Sequence, residues 1–110
     1  SRLRAVHLTT GIIQNVRSVG FPTSLTSDSS GLLYVTRGTT NNGSPWIVNR
    51  IDPVALTSTR LVGGGNNIND GVPLLEVSFT NVRDLEVDAL GRIYVPNAAN
   101  PNDLRVVTLP

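Results

Sequence analysis

The feature that most constrains this chain is a short stretch that occurs twice, sixty residues apart. Asp28-Ser29-Ser30-Gly31-Leu32-Leu33-Tyr34-Val35 returns as Asp88-Ala89-Leu90-Gly91-Arg92-Ile93-Tyr94-Val95. Each copy opens on an acidic residue, reaches a glycine three positions on, and runs into an aliphatic–Tyr–Val strand. Asp favours turns because its carboxylate bonds nearby backbone amides, and Gly supplies positive φ. The pair reads as the inner hairpin of a repeating four-stranded β-unit. A unit of this kind buries its faces only against neighbouring units.

Taken in order, the rest of the chain fits that unit. Leu3 to Leu8 alternates polar and apolar, as a half-buried strand does, and Thr9-Thr10-Gly11 turns it. Ile12 to Val19 forms the next strand, and Gly20-Phe21-Pro22 breaks it. Thr23 to Ser27 is a short polar strand of the sort that lines a channel. Leu32 to Thr36 is the inner strand after the turn, and 37–45, without an apolar residue, is a solvent loop. Trp46 to Asp52 is a third strand, stopped by Pro53, and Leu56 to Val62 a fourth. The run 63–73 is rich in Gly and Asn, and Pro73 to Phe79 has room for an extra short strand. Val82 to Val87, Ile93 to Val95 and Leu104 to Leu109 restart the unit, with 96–103 as another Asn/Pro loop. No window free of Gly and Pro has helical spacing, so the chain is expected to be all-β.

Leu104-Arg105-Val106-Val107-Thr108-Leu109 echoes Leu3-Arg4-Ala5-Val6-His7-Leu8, so the chain runs from third strand to third strand across two periods. The expected division is the end of one unit at 1–20, a complete unit at 21–62, a Gly/Asn-rich insertion at 63–79 and the start of the next unit at 80–110. Each period is somewhat longer than a propeller blade of roughly 40–45 residues.

The pattern Asp-x-x-Gly-x-(Leu/Ile)-Tyr-Val, with a short strand before it and a polar loop and Arg-containing strand after it, resembles the NHL-type β-propeller repeat. It is similar, more loosely, to gluconolactonase-like and YVTN-type propellers. Thr36-Arg37 and Pro96-Asn97 follow the Tyr-Val pair where NHL repeats usually continue with Ala-Asp. The resemblance implies a segment of a β-propeller, about two four-stranded antiparallel blades, in a protein that acts as a binding or structural scaffold. A closed propeller has typically four to eight blades. The remaining blades are therefore expected from a larger parent chain or from copies of this one. Met is absent, at position 1 as elsewhere, and this favours a segment of a longer protein. If the chain stands alone as a folded monomer, a small β-sandwich is the alternative fold.

Composition excludes several classes. Nine arginines against eight carboxylates leave a formal charge of +1, which gives no footprint for nucleic acid and no polybasic patch for a membrane surface. No stretch has the length and apolarity of a membrane span. Without Cys there is neither a disulfide frame nor a thiolate site. Abundant Asn, Thr, Ser and Gly fit a secreted or cell-surface setting.

No nucleophile elbow, phosphate loop or His-containing triad can be assembled, so the reading leans away from an enzyme. His7 is the sole histidine and sits on an outward strand position. Asp28 and Asp88 occupy equivalent turns, and capping explains both. Asn66, Asn67, Asn69 and Asp70 carry oxygens of the kind Ca²⁺ takes. Their spacing misses the Asp-x-(Asp/Asn)-x-(Asp/Asn)-Gly loop and no twelfth-position Glu follows, so a loop is the better reading and no cofactor is expected. Asn42-Gly43-Ser44 has the form of a glycosylation acceptor, and Pro45 disfavours its use. Trp46 is either an exposed anchor for a protein or a sugar or packing between blades. Ser24, Thr26, Arg83 and Glu86 belong to inner strands at a channel mouth, where Arg83 and Glu86 can pair with each other. The expected contact residues are thus Asn41, Asn42, Trp46, Asn66, Asn67 and Asn100, for a protein or glycan partner. Two further readings stand beside the scaffold. One is a lactonase- or hydrolase-like propeller with a channel metal, for which Asp84 and Glu86 are the available ligands. The other is a self-assembling subunit whose exposed β-edges pair between chains.

Overall fold

The computed structural model describes residues 2–40, 45–79, 81–98 and 102–109. Nine strands form three antiparallel sheets: β1 (Arg2–Val6) with β2 (Ile13–Ser18); β3 (Pro22–Ser27), β4 (Leu33–Gly38), β5 (Trp46–Asp52) and β6 (Thr57–Gly63); and β7 (Glu86–Val87), β8 (Ile93–Ala98) and β9 (Asn102–Val107). Strands follow chain order within each sheet. The all-β expectation holds, and the described sheets of two, four and three strands do not close into a ring.

The four-stranded sheet is buried on both faces, and its side-chain parity shows why. Val35 and Ile51 point to one side, where they pack with Val19 and with Leu3 and Val16 of the first sheet. Tyr34, Trp46, Val48 and Val62 point to the other and meet Ile93, Val95 and Val107 of the third sheet. Strands covered on both faces read as apolar runs rather than strict alternation, which is what Trp46-Ile47-Val48 displays. The outer sheets are covered on one face only.

The two Asp-x-x-Gly turns are built alike. Gly31 donates to the Asp28 carbonyl and Gly91 to the Asp88 carbonyl, closing type I turns. Both glycines then take positive φ, 89° and 80°, making the bulge that matches the turn to the strand twist. Registers repeat as well. Leu33 faces Ile51 as Ile93 faces Val107, and Tyr34 faces Arg50 as Tyr94 faces Val106.

Several boundaries differ from expectation. Arg37 and Gly38 belong to β4 rather than to a loop, because Arg37 donates to the Gly20 carbonyl and Gly38 to that of Phe21. The expected loop 96–103 is largely ladder, since Pro96 faces Leu104 and Asn97 faces Asp103. The expected strand Val82 to Val87 shrinks to Glu86–Val87 plus a single bridge from Val82 to Asn97.

The largest difference lies in 63–79, expected as an insertion. Its Val77 and Phe79 are buried in the main core, with Val72 and Leu74 packed against it. Leu74–Glu76 is a 3₁₀ turn, and Asn67 forms a parallel bridge with Val77. The glycines permit this close approach. A Cβ at Gly63 would collide with the Trp46 carbonyl, and one at Gly65 with the Glu76 backbone. The Gly run is therefore a tight path across the sheet edge.

Candidate functional site

Each copy of the duplicated turn surrounds its aspartate with four hydrogen bonds. Asp28 Oδ1 accepts from the Ser30 amide (2.9 Å), the Ser30 hydroxyl (2.7 Å) and the Leu32 amide (3.1 Å), while Oδ2 accepts from the Tyr34 hydroxyl (2.8 Å). Asp88 repeats this with the Leu90 and Arg92 amides (both 2.9 Å), the Arg92 guanidinium (2.7 Å) and the Tyr94 hydroxyl (3.0 Å). Burial works against the charge on Asp28, but the bonds from Ser30, Tyr34 and Leu32 outweigh it and hold the carboxyl below its ordinary range. Desolvation likewise opposes the charge on Asp88, and the amide and guanidinium of Arg92 with the Tyr94 hydroxyl pull its pKa down to about 2. Both tyrosines move up: Tyr34 through burial and then Asp28, Tyr94 through its bond to Asp88 and then burial. Each carboxylate is saturated by its own hairpin. The pair locks two turns, as the capping reading expects.

Two grooves of similar size are described, one beside Arg50, Arg60 and Leu75 and the other beside β9. A groove of about 500 Å³ runs between that strand and the 69–79 segment. Val72, Leu74, Val77 and Phe79 give it an apolar lining, and Asn69, Asp70 and Arg105 a polar one. Arg105 ties the walls together. Its guanidinium donates to the carbonyls of Ser78 (3.4 Å) and Asn69 (3.1 Å), pairs with Asp70 (3.2 Å) and sits 5.6 Å above the Phe79 ring. Grooves of this make-up hold extended apolar chain or the flat face of a sugar, with polar groups setting orientation.

The expected contact residues divide three ways. Asn66 is exposed and Asn67 half-buried, while Asn69 and Asp70, weighed only as Ca²⁺ ligands, stand at the groove. The Asn67 carboxamide oxygen accepts from the Asn69 amide, and the Asn67 backbone bonds Glu76 and Ser78. That oxygen serves the local turn, and no cluster of three metal-ligating side chains exists among the described residues. Trp46 requires correction as a contact residue. It is 5 % exposed, packed in the main core with Val48 and Val62, so it cannot serve as an exposed anchor. Asn41, Asn42 and Asn100 lie outside the described residues.

Among the inner-strand candidates, Ser24 donates to Asp84 (3.3 Å), and Thr23 bonds both Thr36 (2.8 Å) and the Val82 carbonyl (3.0 Å). The bonds to Asp84 and Val82 join the four-stranded sheet to the segment that leads into the third, and the bond to Thr36 stays within the sheet. Arg83 and Glu86 are both exposed and form no ion pair with each other; the described ion pairs are Arg92–Asp88 and Arg105–Asp70. His7 is exposed and its Nδ1 accepts from the Thr10 amide, closing the first hairpin. The groove itself was not anticipated from sequence. Its signal was the alternation of Val77 and Phe79, which are both buried inside what composition presents as a loop.

A further recess of about 200 Å³ lies between the first two sheets, lined by Arg17, Arg37, Asn49 and Ser58. Asn49 Nδ2 donates to Ser58, while its Oδ1 is buried without a partner. Among the described residues no helix is long and apolar enough to cross a membrane. Comparison of the chain with family models, with curated proteins and with solved structures returned no match.

Proposed function

We propose that this chain is a two-repeat segment of an NHL-like β-propeller and serves as a rigid, non-catalytic platform that binds protein or glycan. The repeated hairpin carries this reading. The same Asp–Tyr lock, register and strand order recur in consecutive sheets stacked face to face. A bond from Thr23 on the innermost strand of one sheet to Val82 beside the next fits blades converging on an axis. On this reading the remaining blades come from a longer polypeptide or from copies of the chain, and the protein is secreted or displayed at the cell surface. Loops on a rigid scaffold carry the contacts, and the groove beside Asn69, Asp70 and Arg105 is the described surface with the right shape.

Glycan and peptide arrays probed with the protein test the binding role. Binding that disappears when 66–70 is replaced by Gly-Ser supports it. Turnover of a lactone that depends on a divalent cation overturns the non-catalytic reading. Particle imaging tests the blade architecture: sheets arranged radially around a channel support it, and a closed two-layer sandwich refutes it.

A further inference from the structure

The two outer sheets each leave one face uncovered, and the parity of the strands defines those faces. In the first sheet Arg4 faces Asn15 and Val6 faces Ile13 across the ladder, and Arg2, Arg4 and Val6 all turn away from the core. Val6 is 55 % and Ile13 50 % exposed. In the third sheet Ile93, Val95 and Val107 face inward, so Glu86, Tyr94, Leu104 and Val106 share the outward face. Leu104 is 64 % and Val106 52 % exposed.

The molecule also contains the template for what covers them. The outward face of the third sheet is the register equivalent of the face of the four-stranded sheet that bears Tyr34 and Val48, and the third sheet covers that face. The outward face of the first sheet is the equivalent of the side of β9 that bears Arg105 and Val107, because Arg4 and Val6 align with them in the repeated strand. Val107 lies in the contact with the preceding sheet, and Arg105 lies against the 69–79 segment beside it. One end of the molecule thus presents a donor face and the other a matching acceptor face. Their charges are opposed too. Arg2 and Arg4 stand on the outward face of the first sheet, and Glu86 stands on that of the third.

We infer that this chain stacks head to tail on copies of itself. The Glu86/Tyr94/Leu104/Val106 face of one copy packs on the Arg4/Val6/Ile13 face of the next, which brings Arg4 to the face that carries Glu86. Such a heterologous contact builds a ring where the rotation closes and a filament where it does not. The inference rests on open faces and repeat register, and extends the blade reading by naming the chain itself as the source of further sheets.

The experiment is sedimentation of the chain across a range of micromolar concentrations, with Trp46 emission as the check on folding. Leu104→Glu with Val106→Glu blocks the tail face, and Val6→Glu with Ile13→Glu blocks the head face. All four side chains are at least half exposed, so the fold tolerates them. The wild type is expected to form assemblies, each double variant alone to be monomeric, and an equimolar mixture of the two to form a one-to-one dimer through the intact pair of faces. Arg4→Glu is expected to weaken assembly about tenfold, the size of effect that one interfacial charge contact produces. A folded wild-type monomer throughout, or failure of the mixed variants to dimerise, overturns self-stacking. Neither result touches the blade reading, which the imaging above decides for a longer polypeptide.

Discussion

Replacing Phe79 by Ala is the sharpest test of how the 63–79 segment is used. Phe79 is 2 % exposed and lies against Gly63 inside the core shared by the second and third sheets. Truncating a buried Phe to Ala costs about 3–5 kcal/mol through lost transfer energy and the cavity left behind. Arg105 loses the ring beneath its guanidinium as well, a contact worth about 0.5–1 kcal/mol at a partly exposed site. The expected loss is therefore about 4 kcal/mol, a large share of the roughly 5–15 kcal/mol that stabilises a domain. Urea denaturation followed by the emission of Trp46, the sole tryptophan, reads it directly. The midpoint should fall with little change in slope. Leu75→Ala, in the same segment but at a side chain 46 % exposed, is the control and should lose much less. If Phe79→Ala costs under about 1 kcal/mol, as a surface substitution would, the segment does not stitch the two sheets together and the core described above is wrong.

Four other outcomes are expected. Gly65→Ala should destabilise by about 1–3 kcal/mol, the range for overpacking, because the new methyl meets the Glu76 backbone, whereas Gly11→Ala, with nothing within 4 Å and φ at 71°, carries only the left-handed backbone cost that Gly65 lacks; both are read by thermal melts. Tyr34→Phe should cost about 1.5–3 kcal/mol for one hydrogen bond to a charged partner, measured by denaturation, and Asp28→Ala more, since the tyrosine hydroxyl and two amides lose their acceptor. With folded-state pKa values below the ordinary 3.8, Asp28 and Asp88 contribute stability that is complete above that pH and fades as pH falls towards about 2, so melting temperature should drop through that window, and Asp88→Asn should flatten the decline. The tyrosines, raised above 10, contribute stability that is lost as pH rises past 10; phenolate absorbance should therefore titrate late, and Asp28→Asn should bring Tyr34 back towards 10.

The repeat was legible because its causes are local. An Asp that caps its own turn, a Gly with positive φ and a Tyr six residues after the Asp fix the hairpin from within eight residues. So do the short strands around it, including Trp46 to Asp52, whose bounds match. The candidate site was legible only in part. Asn69 and Asp70 draw attention in the sequence only as oxygen donors of the kind Ca²⁺ takes, and the structure puts them at the border of the groove. The apolar lining of that groove was hidden, because glycines and asparagines read as a loop until the close approach they allow is seen. Trp46 was ambiguous for the same reason, since an aromatic at a strand start faces either solvent or a neighbouring sheet.

The sequence by itself determined the all-β class, the strand order and the two locked turns, since each rests on alternation and turn chemistry within a few residues. Only the tertiary structure decided which faces are covered. Burial of Phe79 depends on a segment crossing back over Gly63, and exposure of Val6, Ile13, Leu104 and Val106 depends on which sheet lies next to which. A strand's pattern fixes that its residues alternate between two sides, and the packing of whole sheets fixes what each side meets.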